Sequence, residues 1–292
     1  MSSSDNPQFD AQLDPQPPVS VEPAPPIAAA GDPFVSGSHP PILVAPPIVR
    51  DPVWSGWDVL LIALLTIVTL IVVQFITVVG AQLLVYRHAS FGDVLQKPIL
   101  AILSQFVAYI IVGTFMVRLV RGKYNQPFWK AIRWNWPRNV ALMLFVGMLT
   151  VGLDILSRFL PMPKSTPFDQ FFARPSDAYL MVAFAVTFGP LMEEIFFRGF
   201  LYPVLERWMP APFAIVLTAL PFGMIHYLQY KSWAAVLVIG LVGVVLTTVR
   251  AVTKSVGASF LAHVGYNGTL MTMAALATDG FRHMERAALL TF

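Results

Sequence analysis

The chain has 292 residues, 56% of them hydrophobic and 12% charged, with a mean hydropathy of +0.66; it is richer in apolar residues than a soluble domain and has about half the usual charge, which identifies an integral membrane protein. It contains no cysteine, and this excludes a disulfide framework, a thiolate metal site and a thiol nucleophile. The net charge of +3 comes from basic residues placed between apolar runs rather than in a folded patch, so it is read as a topology signal and no nucleic-acid partner is expected.

Residues 1–50, with stretches such as "DPQPPVSVEPAPP", are proline-rich and lack hydrophobic periodicity. Such a segment cannot bury enough surface to offset its chain entropy. It is expected to be a disordered cytoplasmic tail, acting as a solvated tether or a polyproline docking site. It also lacks the basic start and apolar run of a signal peptide, so the first apolar span is read as a retained anchor.

Residues 51–292 read as a transmembrane domain. Apolar runs close to the roughly 20 residues that cross a bilayer as helix fall at about 57–84, 98–120, 139–160, 177–208, 212–229, 233–250 and 255–278. The fold class is therefore all-α, a polytopic transmembrane bundle of about seven to eight helices. The fourth run is longer than one crossing, so a tilt or a break near Pro203 is expected.

Between the second and third runs lie Arg118, Arg121, Lys123, Lys130, Arg133 and Arg138 with no acidic residue, a positive-inside signal that assigns this connector to the cytoplasm. Counting crossings puts the N-terminal tail and the turn at "MPAP", 209–212, on the same side. The expected location is the cell membrane, with the lipid bilayer as the first partner.

Ionisable residues stand out against this background. In "LMEEIFFRGF", 191–200, Glu193, Glu194 and Arg198 would together cost on the order of 9 kcal/mol at mid-membrane unless paired or hydrated. Glu194 and Arg198 are four residues apart in the favourable orientation for an ion pair. Glu193 points about 100° away and is left unpaired by that arginine.

Two histidines lie in apolar runs, His226 in "PFGMIHYL" and His263 in "FLAHVGYNG", and Asn267 shares a helix face with His263. If the fourth and fifth runs form a hairpin near Pro210, Glu193 and His226 stand at about equal height. Phe222 reads as a pocket wall or core residue, and Gly240, Gly243, Gly257, Gly265 and Gly268 as sites of close helix packing. Tyr227 and Tyr266 are compatible with substrate contacts or with an interfacial belt.

A carboxylate, two imidazoles and a carboxamide in a dry cavity suit amide hydrolysis. Glu193 would take a proton from water, while His226 shares that water or protonates the leaving amine. His263 and Asn267 would donate to the oxyanion, with Glu194 and Arg198 supporting. No cofactor is required on this reading. The same residue types also suit a divalent metal such as zinc, held by Glu193, His226 and His263; direct water activation is favoured because the motif is not "HExxH" and a carboxamide is an uncommon ligand.

At these residues the sequence resembles the CPBP family, the CAAX-protease and bacteriocin-processing membrane proteins also called Abi. "EEIFFR" at 193–198, "FGMIH" at 222–226 and "HVGYN" at 263–267 match its three motifs in order, within about residues 177–278. The resemblance implies an intramembrane endopeptidase whose catalytic glutamate is Glu193, acting with His226 on water, with His263 and Asn267 as the oxyanion site. Its substrate would be a peptide or membrane protein, prenylated or not. Two other readings stand beside it. One is a non-catalytic scaffold or bacteriocin-immunity protein that uses the tail. The other is a proton-coupled transporter, for which the first three runs offer only Gln74, Gln105 and Asp154 as polar residues along a path.

Overall fold

A computed structural model describes residues 51–289. The tail expected to be disordered, 1–50, lies outside the described residues. All regular structure among them is helical. Six helices are long and apolar enough to cross a membrane: α1 Gly56–Leu84, α2 Pro98–Lys123, α3 Val140–Phe159, α4 Pro175–Trp208, α5 Ala211–Tyr230 and α6 Trp233–Thr253. The seventh expected span forms α7, Val256–Ala277, but falls outside that class because Ser259, His263, Asn267 and three glycines dilute its apolar residues.

Exposure is inverted relative to a soluble protein. Leu60, Leu64, Ile67, Ile71 and Phe75 on α1 are all exposed, and lipid is the solvent that suits such a face. The interior instead holds Glu194, Arg198, Arg250 and His263, all buried.

The helix ends alternate between two faces of the bundle. At one face Arg133 before α3 pairs with Asp51 before α1, Arg207 near the end of α4 donates to the Pro52 carbonyl at 3.1 Å, and Lys254 after α6 meets Glu206 at 2.8 Å. The amide of Val256, which opens α7, donates to the Arg133 carbonyl at 3.1 Å. Helices that begin or end in strict alternation at one face are what successive crossings require.

At that face Ser55 and Asp58 cap α1 reciprocally. The buried Asp58 carboxylate also accepts from Lys123 Nζ at 2.6 Å and Tyr124 Oη at 2.5 Å, which ties the start of α1 to the end of α2. Trp54, almost fully buried, donates its indole N–H to the Phe200 carbonyl at 3.1 Å, fastening the approach to α1 onto α4.

α4 does not break at Pro203. It is continuous from 175 to 208 but contains two wide π-turns, Phe184–Phe188 and Ile195–Leu201. Each is followed after one residue by a proline, Pro190 or Pro203. Proline supplies no N–H and crowds the carbonyl four residues earlier, and the wider i→i+5 turn accommodates that crowding without a kink.

Glycines set the closest approach between α3 and α7. A Cβ on Gly147 would stand 1.9 Å from the Ala262 carbonyl oxygen, and one on Gly265 would stand 2.3 Å from that of Leu144. Either would force the helices apart. Of the other glycines singled out for packing, Gly243 and Gly257 make comparably tight approaches, whereas a Cβ on Gly240 meets nothing within 4 Å and one on Gly268 would make ordinary contact with Val186.

Candidate active site

The site is built on α4 between and within its two π-turns. Glu194 and Arg198 are completely buried and bonded, Arg198 Nη1 donating to Glu194 Oε1 at 2.8 Å. The rest of the guanidinium is also used. Nε donates to Thr247 Oγ1 at 3.2 Å and Nη2 to the Gly243 carbonyl at 3.0 Å, both on α6. The Phe222 ring of α5 lies 4.3 Å from its Cζ, a cation–π contact strengthened by desolvation. A Cβ on Gly243 would stand 2.8 Å from Phe222 Cδ1, so this glycine both accepts from the arginine and makes room for the ring that stacks on it.

Glu194 joins α4 to α7. Ser259 Oγ lies 2.5 Å from its Oε2, and His263 Nδ1 is 3.0 Å from its Oε1. A carboxylate can only accept, so His263 carries its proton on Nδ1. Its Nε2 then faces Glu193, with 3.8 Å to Glu193 Oε2. In its neutral form this nitrogen is an acceptor, and His263 donates from it to an oxyanion only as imidazolium.

His226 is fixed in the same way. It ends the main run of α5, Ala211–Ile225, and its Nδ1 lies 2.8 Å from the Phe222 carbonyl, another group that only accepts. Nε2 therefore carries the lone pair. Ring centroids of Phe222 stand 5.3 Å from His226 and 5.8 Å from His263, so one phenylalanine separates and orients both imidazoles.

Glu193 and His226 line one cavity of about 540 Å³ between α1, α2, α4 and α5. Glu193 is partly exposed there, at 17% of its side chain, against 0% for Glu194. The cavity walls are mostly apolar, with Met116, Met192, Phe196 and Phe197 among them. An adjoining hollow of about 690 Å³ along α2, lined by Arg118, Arg121 and Trp129, shares Tyr109, Met116 and Met192 with this cavity but includes neither Glu193 nor either motif histidine.

Asn267 stands one turn beyond His263, but its Nδ2 donates to the Ala185 carbonyl at 2.7 Å. That carbonyl belongs to the first π-turn of α4, so the carboxamide is committed, through one of its two hydrogens, to the backbone. Neither it nor His263 lines the cavity. Tyr266 Oη donates to Asp154 Oδ1 at 3.2 Å, and Tyr227 packs against Trp233 with centroids 4.6 Å apart. Neither tyrosine lines the cavity.

Glu193, His226 and His263 do not gather as a metal site. Among the described residues no group of three or more His, Asp or Glu is arranged to hold a metal ion. Two of the donors that the zinc alternative needs, Glu193 Oε2 and His263 Nε2, are neighbours at 3.8 Å, but the three do not form one such group.

Thr247 and Ser259 escape a reading that looks for unusual residues in apolar runs. Their signal is spacing. Gly243 and Thr247 are four apart on α6, and Ser259, His263 and Asn267 recur every four residues on α7, so each set forms one polar stripe facing α4.

Residues 175–269 match the family model described as Rce1-like, type II CAAX prenyl endopeptidase Rce1-like. All three motifs lie within that part of the chain, so the CPBP resemblance is matched there. No curated protein and no solved structure matches the chain.

Proposed function

We propose that the chain is a glutamate-dependent intramembrane endopeptidase that hydrolyses a peptide bond in a peptide or membrane-protein substrate. The observation that carries this reading is that Glu193 and His226 line one largely apolar cavity while Glu194, beside Glu193, is wholly committed to Arg198, Ser259 and His263. Two adjacent carboxylates thus have opposite environments. One is locked into the scaffold and the other is available for chemistry.

In the proposed reaction a water molecule lies between the Glu193 carboxylate and His226 Nε2. Glu193 takes one proton as the water oxygen bonds to the scissile carbonyl carbon. The carbonyl electron pair moves to oxygen, giving a tetrahedral oxyanion. The candidate donors to it are a protonated His263, whose Nε2 faces Glu193 from behind the cavity lining, and the uncommitted hydrogen of Asn267, which also lies outside that lining. The proton held by Glu193 passes to the amide nitrogen, directly or through His226, the C–N bond breaks, and a carboxylic acid and an amine leave. Glu194 and Arg198 act by holding His263 and the α4 turn in place.

The positive-inside connector and the alternation of helix ends support a multi-pass protein of the cell membrane with the 118–138 face and the N-terminal tail in the cytoplasm. The Pro-rich tail, 1–50, is proposed as a separate tether outside the catalytic domain.

The test is cleavage of a library of prenylated and unprenylated peptides by purified protein in lipid, comparing wild type with Glu193→Gln. Cleavage by wild type that disappears in a folded Glu193→Gln variant is expected. Absence of cleavage by both sinks the peptidase reading in favour of a scaffold, and equal cleavage by both removes Glu193 from the mechanism.

A further inference from the structure

The cavity that Glu193 lines is polar where its helices have least reason to be. Gln74 comes from α1, Gln105 and Tyr109 from α2, and Gln229 from the last turn of α5; all four line the cavity. Each glutamine is only partly buried. A carboxamide in a membrane span is costly unless its donors and acceptor are satisfied.

Only part of that capacity is satisfied within the protein. Gln74 Oε1 accepts from Ser104 Oγ, and Gln105 Nε2 donates to Tyr109 Oη at 3.0 Å. The rest has no protein partner among the described residues: the Gln74 amide N–H₂, the side-chain carbonyl of Gln105, the Tyr109 hydroxyl proton and the whole Gln229 carboxamide. Interhelical glue explains the Gln74–Ser104 tie, but it does not explain donors and acceptors from three helices left open toward one space.

An extended peptide backbone matches that set. Each residue of a strand offers one N–H and one C=O, with the same edge presented every second residue. A helical substrate offers neither, because its backbone groups are bonded internally. Apart from Glu193 and His226 the cavity lining contains no ionisable side chain but Tyr109, and residues such as Ala63, Leu70 and Val112 surround the glutamines. Charged side chains on the substrate would find no counter-ion there.

On the premise of the proposed peptidase, we infer that Gln74, Gln105 and Gln229 are positioning residues that hold the backbone of an unwound, uncharged apolar segment across the cavity. The Gln74 N–H₂ donates to a substrate carbonyl, and the Gln105 carbonyl accepts a substrate N–H. The substrate class is a segment that is locally non-helical at the scissile bond, selected by its exposed backbone more than by side-chain identity.

The experiment uses the full chain in lipid nanodiscs carrying Glu193→Gln, so that bound peptide is not consumed. The probe is a fluorescent library of unprenylated peptides of about ten residues built from Ala, Val, Leu and Ser, with affinity read by anisotropy. Adding Gln74→Leu or Gln105→Leu is expected to weaken binding about tenfold each, on the scale of one backbone hydrogen bond.

Replacing single peptide N–H groups with ester oxygen gives the sharper readout. One position should lose affinity against the parent yet lose none against Gln105→Leu, the signature of a shared hydrogen bond. The inference is overturned if the folded leucine variants bind as the parent does, if ester and leucine effects add, or if no peptide is retained. Wild-type cleavage is scored separately. Glutamine-dependent retention without cleavage would sink the peptidase and leave the binding wall, and cleavage indifferent to the glutamines would do the reverse.

Discussion

His263 turns its Nδ1 to Glu194 at 3.0 Å, and this leaves its Nε2 as the nitrogen facing Glu193. The buried carboxylate therefore decides which face of the imidazole the neighbouring carboxylate meets, although the two acids are adjacent in the chain. Removing each carboxylate should have opposite consequences.

Glu193→Gln is expected to change unfolding free energy by less than about 1 kcal/mol, since no close bond is lost, while abolishing cleavage. Glu194→Ala leaves the Arg198 guanidinium buried and uncompensated, and the cost is about 3–5 kcal/mol. Denaturant unfolding in detergent, measured beside peptide cleavage, checks the contrast. A Glu194→Ala protein as stable as wild type would contradict it.

Arg198→Lys keeps the charge and loses the geometry. The guanidinium reaches Glu194, Thr247 and the Gly243 carbonyl at once, and an ammonium cannot reproduce that planar fork. Two of the three buried acceptors lose the donor that the guanidinium supplies, so destabilisation of about 2–4 kcal/mol is expected. Thermal melts of the purified variant would show it, and a melt superimposable on wild type would rule the fork out as a structural element.

Gly147→Ala and Gly265→Ala each place a methyl group inside a carbonyl contact between α3 and α7. An overpacking cost of about 1–3 kcal/mol or more is expected for each. Gly268→Ala, whose Cβ would make ordinary contact 3.7 Å from Val186 Cγ1, serves as the matched control and should melt within about 1 kcal/mol of wild type. Equal melts for all three would show that α3 and α7 do not cross where described.

Asp58→Asn tests the tie between the start of α1 and the end of α2. The amide keeps an acceptor but gives up the charge that Lys123 and Tyr124 approach, and it weakens the reciprocal cap. The unfolding midpoint is expected to fall by about 4 °C, with kcat unchanged because Asp58 does not line the cavity. A fall in kcat at unchanged stability would reverse the assignment.

Much of this architecture was legible in the chain because it follows from local rules. Run length predicts all seven helices, and four-residue spacing predicts the Glu194–Arg198 pair. Equal distances from Pro210 put Glu193 and His226 at one height, and both line the same cavity. The π-turns were not legible, since an i→i+5 widening leaves no periodic trace beyond the prolines that follow it. Nor was the Glu194–His263 bond, which joins residues 69 apart through helix packing that no local pattern encodes. Asn267 shows the same limit. Its face was predictable, but its partner, a carbonyl exposed by a π-turn, was not.

The polar character of α7 has a consequence for how the protein is made. A segment carrying Ser259, His263 and Asn267 gains little from entering hydrocarbon alone, yet in the finished bundle it lies against α3 at two glycine crossings and bonds to α4. Its placement therefore depends on helices synthesised before it, and α7 joins the bundle by docking rather than as an independent span. Until that docking occurs, Glu194 lacks two of its three partners, so a nascent chain that stalls before α7 exposes a half-paired carboxylate to quality control.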